Sequence, residues 1–105
     1  MSIISEKSAQ ALRNNTEYKN NNTQVYNGAM FLHGNKIAWI EGARLYFCLC
    51  GWDSRTTCER LRALGLNIYH KKTRLMHGQQ EINARNVYFV YMEKYNPSAS
   101  LAFNA

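Results

Sequence analysis

The stretch TQVYNGAMFLHGNKIAWIEGARLYFCLC, from Thr23 to Cys50, decides the fold because it holds apolar segments of strand length separated by tight turns. Its first segment ends at Gly34-Asn35, a pair suited to the positive φ angles of a tight hairpin, and Glu41-Gly42 permits a second reversal. The predicted strands are Thr23–His33, Lys36–Ile40 and Ala43–Cys50. This stretch therefore predicts a meander of three antiparallel strands.

One helix is predicted after the meander. Thr56 is its expected N-cap, Glu59 completes a capping box three residues later, and Gly65 stands after the last turn. Its apolar stripe consists of Cys58, Leu61 and Leu64. The strands predicted after the helix are Leu66–His70, Thr73–His77 and Asn86–Met92. The order β-β-β-α-β-β-β predicts an α+β fold, a mostly antiparallel sheet of five to six short strands packed on one short helix.

The chain of 105 residues is long enough for one domain at most. Residues 1–22 are polar and asparagine-rich and are expected to form an N-terminal arm that is only partly ordered. Residues 23–95 are predicted to be a single compact domain, and residues 96–105 a C-terminal tail. A body of this size has a small stability margin, so a homodimer is an open alternative.

Composition and sequence patterns exclude several classes of protein. Hydrophobic residues make up 46% of the chain and aromatic residues 12%, which excludes a wholly disordered protein. No apolar run approaches the length of a membrane span, and the first residues lack the pattern of a signal peptide. A cytosolic protein without membrane contact is therefore expected.

The positive charge is concentrated in one part of the sequence. The formal net charge is +6, and residues 55–85 hold seven basic residues and two acidic ones. Cations release counterions from phosphates and flat rings stack on bases, so a basic region with aromatic neighbours predicts nucleic-acid contact. The predicted contact residues are Arg55, Arg60, Arg62, Lys71, Lys72, Arg74, Tyr69 and Arg85. Solvated arginines that only promote solubility are the alternative.

Signatures of catalysis are weak. The sequence has no P-loop, no dinucleotide-binding glycine motif and no metalloprotease or hydrolase motif, and its carboxylates are scattered. A protein that is not an enzyme and needs no cofactor is therefore predicted. His70 and His77, which flank basic residues on a predicted hairpin, leave a metal-free ribonuclease as an alternative.

Cysteines and tryptophans are expected in the interior. Three cysteines, Cys48, Cys50 and Cys58, do not suit a closed disulfide framework and are interpreted as small buried residues. A zinc site built from them and the histidines is the alternative, but the paired knuckles of structural zinc sites are missing, and no metal is predicted. Trp39 and Trp52 are also predicted to lie in the core.

Three motifs of the chain resemble a family of small proteins encoded by tailed bacteriophages. The motifs are Leu32-His-Gly-Asn-Lys-Ile-Ala38, Gly51-Trp52 and Thr56-Thr-Cys-Glu-Arg-Leu61, or LHGNxIA, GW and TTxxRL, preceded by Asn22-Thr23. The resemblance covers residues 22–95. The chain departs from the family pattern at Ser54 and Arg62, and no catalytic residue is carried over from the family.

The resemblance implies a protein made in the cytosol of an infected bacterium and acting on host or phage machinery. Two functions then compete for a protein that is not an enzyme. Binding of DNA or RNA through the basic helix and hairpin is the first. Inhibition of a host enzyme or a bacterial defence system, of an anti-defence or anti-CRISPR type, is the second, with Tyr26, Tyr46 or Tyr88 as anchors.

Overall fold

The computed structural model describes residues 2–92 and 102–105. Its helices are α1 (Ile3–Arg13) and α2 (Arg55–Ala63). Its strands are β1 (Tyr18–Asn20), β2 (Thr23–Tyr26), β3 (Ala29–Leu32), β4 (Asn35–Glu41), β5 (Arg44–Phe47), β6 (Ile68–Lys71), β7 (Arg74–His77), β8 (Gln80–Glu81), β9 (Tyr88–Tyr91) and β10 (Phe103–Asn104). Residues 93–95 of the predicted domain and 96–101 of the predicted tail lie outside the described residues.

Two antiparallel sheets hold the strands. A seven-stranded sheet has the order β1-β2-β3-β4-β5-β9-β10, and a three-stranded sheet has the order β6-β7-β8. The predicted α+β class with a mostly antiparallel sheet is confirmed. The structure differs from the prediction in detail, because it contains a second helix and places β6 and β7 in a sheet of their own.

The meander contains one more tight turn, and therefore one more strand, than the sequence predicts. Asn27 and Gly28 have φ angles of 51° and 73°, so the predicted strand Thr23–His33 is a hairpin of β2 and β3. The next turn has positive φ at His33 and Gly34, one residue before the predicted Gly34-Asn35 pair. Asn35 therefore begins β4.

Helix α1 occupies much of the segment that the sequence assigns to the N-terminal arm. Ser2 is its N-cap, and the Ser2 hydroxyl oxygen accepts a hydrogen bond from the Ser5 N–H at 3.2 Å. Its buried residues are Ser5, Ser8, Ala9, Ala11 and Leu12. Small and polar side chains at these positions produce no strong apolar period, yet the helix packs against α2 and β2.

Helix α2 begins two residues earlier than its predicted cap implies. Ser54 is the N-cap, and its hydroxyl oxygen accepts a hydrogen bond from the Thr57 N–H at 3.2 Å. The predicted apolar stripe is confirmed, since Cys58, Leu61 and Leu64 are all buried. Helix α1 packs against β1, β2 and β3 of the seven-stranded sheet, and α2 packs against β4 and β6.

Glu59 joins α2 to α1 and does not close a capping box. Its Oε1 atom accepts hydrogen bonds from the Ser2 N–H at 3.3 Å and from the Ser5 hydroxyl at 2.9 Å. Hydrogen bonds from Ser2 and Ser5, with the nearby charge of Arg60, lower the pKa of Glu59 from 4.5 to about 2. The ionised carboxylate is therefore the form that stabilises the helix pair.

Acid is expected to destabilise the protein partly through this carboxylate. Because the folded-state pKa lies below the unfolded value, its contribution is present above pH 4.5 and is lost as pH falls towards about 2. Urea unfolding at several pH values over this window measures the effect. Glu59→Gln is expected to unfold at lower urea than the parent at neutral pH and to show a smaller further loss in acid. Equal acid sensitivity of the two proteins would contradict the assignment.

Candidate nucleic-acid interface

The β6–β7 hairpin presents three of the predicted contact residues to solvent. Lys71 and Arg74 are direct partners across the two strands, and Lys72 lies in the turn between them with a φ of 60°. All three side chains are exposed. Like charges directly opposite each other weaken a strand pair, so this arrangement is unfavourable for the hairpin itself.

A polar cleft of about 490 Å³ lies beside this hairpin. Its polar lining residues are Asp53, Thr73, Arg74, Glu81 and Asn83. Asp53 Oδ2 lies 2.9 Å from His70 Nε2, and this hydrogen bond lowers the pKa of the Asp53 carboxyl. The cleft therefore contains charges of both signs, and one of its carboxylates already has a partner.

Two further cations closely follow residues of this cleft in the sequence. Arg55 is exposed at the first position of α2, two residues after Asp53. The exposed Arg85 packs on Gly51, where a Cβ would lie 3.5 Å from Arg85 Cγ. Arg55, Lys71, Lys72, Arg74 and Arg85 are called the basic region below.

Three of the predicted contact residues use their side chains for hydrogen bonds within the protein. The prediction that Arg60 lies on the exposed basic face is wrong: it is 6% exposed and donates hydrogen bonds to hydroxyls of Thr23, Ser2 and Ser5. Arg62 Nη1 donates to the Ile68 carbonyl oxygen at 2.9 Å and ties α2 to β6. The Tyr69 hydroxyl donates to the Gly78 carbonyl oxygen. Arg62 and Tyr69 are both half-buried.

Aromatic side chains cover the outer face of the seven-stranded sheet, a surface that was not predicted from the sequence. Trp39, Tyr46, Phe89 and Phe103 are successive cross-strand partners on β4, β5, β9 and β10. The ring centroids of each neighbouring pair are 5.4 Å apart. Trp39 is therefore half-buried in a ring stack on the outer face and does not lie in the core.

The second tryptophan is mainly exposed, which contradicts its predicted place in the core. Trp52 is 66% exposed and borders an apolar groove of about 190 Å³. The groove also contacts Leu32, Ile37 and Leu49. The turn at Cys50 and Gly51, both with positive φ, ends the meander just before Trp52.

Cysteines and histidines are dispersed between the interior and the surface. Cys48 and Cys58 are buried as predicted, but the prediction is wrong for Cys50, which is exposed. Partial desolvation of its thiol and the neighbouring Cys48 raise the pKa of Cys50 to about 11. His77 is fully buried against Phe47, and burial lowers its pKa, whereas His70 is exposed beside Asp53. Among the described residues, no three His, Cys, Asp or Glu side chains gather as metal ligands would.

Tyr88 is the remaining residue that differs from its predicted role. It was expected as an exposed anchor for a protein partner, but it is 4% exposed and its hydroxyl accepts a hydrogen bond from the Asn83 N–H. Tyr26 is 37% exposed, and Tyr46 belongs to the ring stack. An aromatic contact with a partner is therefore available on the sheet face and at Trp52.

Comparison with protein families identifies the origin of the chain. A family model described as Kyanoviridae Gp96 protein matches residues 1–97. The chain belongs to this family. Kyanoviridae are cyanophages, so the predicted phage origin is confirmed, while the particular LHGNxIA, GW and TTxxRL pattern stays a prediction.

No curated protein and no solved structure matched this Kyanoviridae protein. Within residues 2–92 and 102–105, neither helix has the length and apolar character needed to cross a membrane.

Proposed function

We propose that this phage accessory protein binds nucleic acid through its basic region and does not act as an enzyme. The observation that carries the proposal is the pairing of Lys71 with Arg74 across the hairpin, next to Lys72. Within the described part of the chain, no carboxylate lies at ion-pair distance from these three cations. The proposed place of action is the cytosol of the infected bacterium.

Phosphate binding offsets the electrostatic cost of this arrangement. A phosphate placed at the hairpin neutralises the repulsion between Lys71 and Arg74 and releases the counterions condensed on nucleic acid. Arg55 and Arg85 extend the positive charge around the cleft. Of the two carboxylates that line the cleft, Asp53 is paired with His70, which limits its repulsion of a phosphate.

Lys71→Glu is expected to weaken binding of a short duplex DNA by about tenfold. The substitution removes the cation of Lys71 and gives Arg74 a carboxylate partner across the strands. Two cations are then lost for phosphate binding, while the hairpin itself becomes more stable. Fluorescence anisotropy at several salt concentrations measures the affinity. The slope of log affinity against log salt should fall by about two, one for each lost phosphate contact.

Lys7→Glu is the matched control for this experiment. It changes the net charge by the same amount at an exposed position of α1, and it should leave the affinity nearly unchanged. Equal losses in the two variants would show that only the overall charge matters and would contradict a localised site. Binding that is insensitive to salt would contradict phosphate contact altogether.

A bacterial protein is the second candidate partner, and the exposure of Trp52 beside an apolar groove favours it. Tryptophan is enriched among residues that dominate protein interfaces. An inhibitor of a host enzyme or a defence complex should co-purify with its target after nuclease treatment at a fixed ratio. Loss of that complex in Trp52→Ala, with duplex binding retained, would favour this candidate.

A further inference from the structure

The outer face of the seven-stranded sheet carries an unusual set of side chains. An antiparallel sheet with one face on the core usually shows polar side chains to solvent on the other. Here the solvent-facing positions carry aromatic rings on six different strands. They are Tyr26, Phe31, Trp39, Tyr46, Phe89, Tyr91 and Phe103.

The strand register arranges these rings in a row across the strands. Trp39 pairs with Tyr46, Tyr46 with Phe89, and Phe89 with Phe103. The ring planes of Trp39 and Tyr46 are nearly parallel, with an interplanar angle of 2°. Strands lie about 4.8 Å apart, so the row extends over about 15 Å.

Cations lie directly on this ring surface. Lys36 Nζ is 4.5 Å from the centre of the Trp39 ring, and Arg44 Cζ is 4.4 Å from the centre of the Phe89 ring. The Arg44 guanidinium also donates to the hydroxyls of Tyr46 and Tyr91, each at 3.4 Å. Arginine is always charged at neutral pH, and the hydrogen bond with Tyr46 raises the pKa of Arg44 further.

The next cross-strand row adds positive charge beside the aromatic row. Lys19, Gln24, Phe31 and Lys36 are successive partners on β1, β2, β3 and β4. Glu41 stands opposite Arg44 on the other side of the aromatic row, but no ion pair forms between them. The outer face thus combines flat rings with the cations of Lys19, Lys36 and Arg44 and with the carboxylate of Glu41.

This combination matches the chemistry of a single-stranded nucleic acid. Unpaired bases expose flat faces that stack on aromatic side chains, and the adjacent phosphates attract cations. A duplex hides its base faces inside the helix, so it offers no partner for the rings. An apolar protein surface would cover the rings but would bury the charges of Lys36 and Arg44.

We infer that the outer face of the seven-stranded sheet binds a single strand of DNA or RNA. Bases stack along the row from Trp39 to Phe103, and Lys36 and Arg44 turn from the rings to the phosphates. The site shares no residue with the basic region, and it does not depend on duplex binding there.

Trp39 fluorescence tests this site directly. The chain has two tryptophans, so Trp52→Phe leaves Trp39 as the only one, and it changes a residue that is 66% exposed. Titration with oligothymidylate or oligouridylate of about twelve nucleotides is expected to quench Trp39 saturably, because a base stacks on its ring. Quenching by either oligonucleotide supports the inference, and their relative affinities show whether the site prefers DNA or RNA. Absence of quenching by both would overturn it.

A second substitution separates stacking from charge. In the Trp52→Phe background, Tyr46→Leu keeps an apolar side chain and removes a flat ring, and it should weaken binding by about tenfold. Circular dichroism checks that the variant is folded. If Tyr46→Leu does not fold, Arg44→Gln, at an exposed position, should weaken single-strand binding by about threefold, through loss of one phosphate contact. Unchanged affinity in a folded variant would overturn the inference.

These experiments can contradict one proposed site without contradicting the other. Lys71→Glu should weaken duplex binding and leave quenching of Trp39 by the single strand nearly intact. Quenching without duplex binding would therefore contradict only the basic region. A Trp39 emission that shifts with protein concentration and ignores both oligonucleotides would assign the sheet face to a second copy of the chain and overturn the inference.

Discussion

Phe47→Ala is expected to lower the free energy of unfolding by about 3–5 kcal/mol, the usual cost of deleting a buried phenylalanine ring. Phe47 is fully buried, and its ring centre lies 5.7 Å from that of Tyr88 and 5.7 Å from that of His77. Tyr88 belongs to the seven-stranded sheet and His77 to the three-stranded one. The ring therefore packs the two sheets together, and its loss leaves a cavity at their junction.

Urea unfolding followed by circular dichroism measures this loss. Trp52→Ala is the matched control, because it removes a larger ring from a position that is 66% exposed and should cost less than about 1 kcal/mol. Similar unfolding midpoints for the two variants would contradict the position of Phe47 in the core. Because His77 lies on β7, Phe47→Ala should also loosen the hairpin that carries Lys71 and Arg74.

Local signals in the sequence predicted the elements whose packing depends on nearby residues. The predicted strand Ala43–Cys50 contains the buried residues Leu45 and Phe47, and the spacing of Cys58, Leu61 and Leu64 gives the buried stripe of α2. For helix α1 the sequence predicted at most a weak helical patch from Glu6 to Arg13 in a partly ordered arm, because the buried face of the helix consists largely of serine and alanine. These side chains fit a close approach of two helices, but they carry little apolar signal.

The candidate sites depend more on long-range pairing than on local pattern. The hairpin cations were predicted because Lys71, Lys72 and Arg74 are close in sequence. The aromatic row requires β5 to pair with β9, more than forty residues later, and then β9 with β10. The pairing of these distant strands cannot be derived from the periodicity of any one segment, so the row from Trp39 to Phe103 was not predicted.

Arg60→Ala is expected to lower the free energy of unfolding by about 2–4 kcal/mol, because it removes several hydrogen bonds from a charged and buried donor. The Arg60 guanidinium donates to the hydroxyls of Ser2 and Ser5 on the α1 side and, through Nε at 3.1 Å, to Thr23 on β2. Its Nη1 atom also lies 3.6 Å from Glu59 Oε1. One side chain thus fixes α1, α2 and the sheet relative to each other.

Arg55→Ala is the control, since Arg55 carries the same charge on the same helix at an exposed position. It should change the unfolding free energy by less than about 0.5 kcal/mol and should weaken duplex binding instead. Equal stability of the two variants would show that the guanidinium of Arg60 is not held in this network. The pair also decides how a loss of binding is interpreted: in Arg60→Glu it reports displacement of α1 from α2, whereas in Arg55→Glu or Lys71→Glu it reports a lost contact with phosphate.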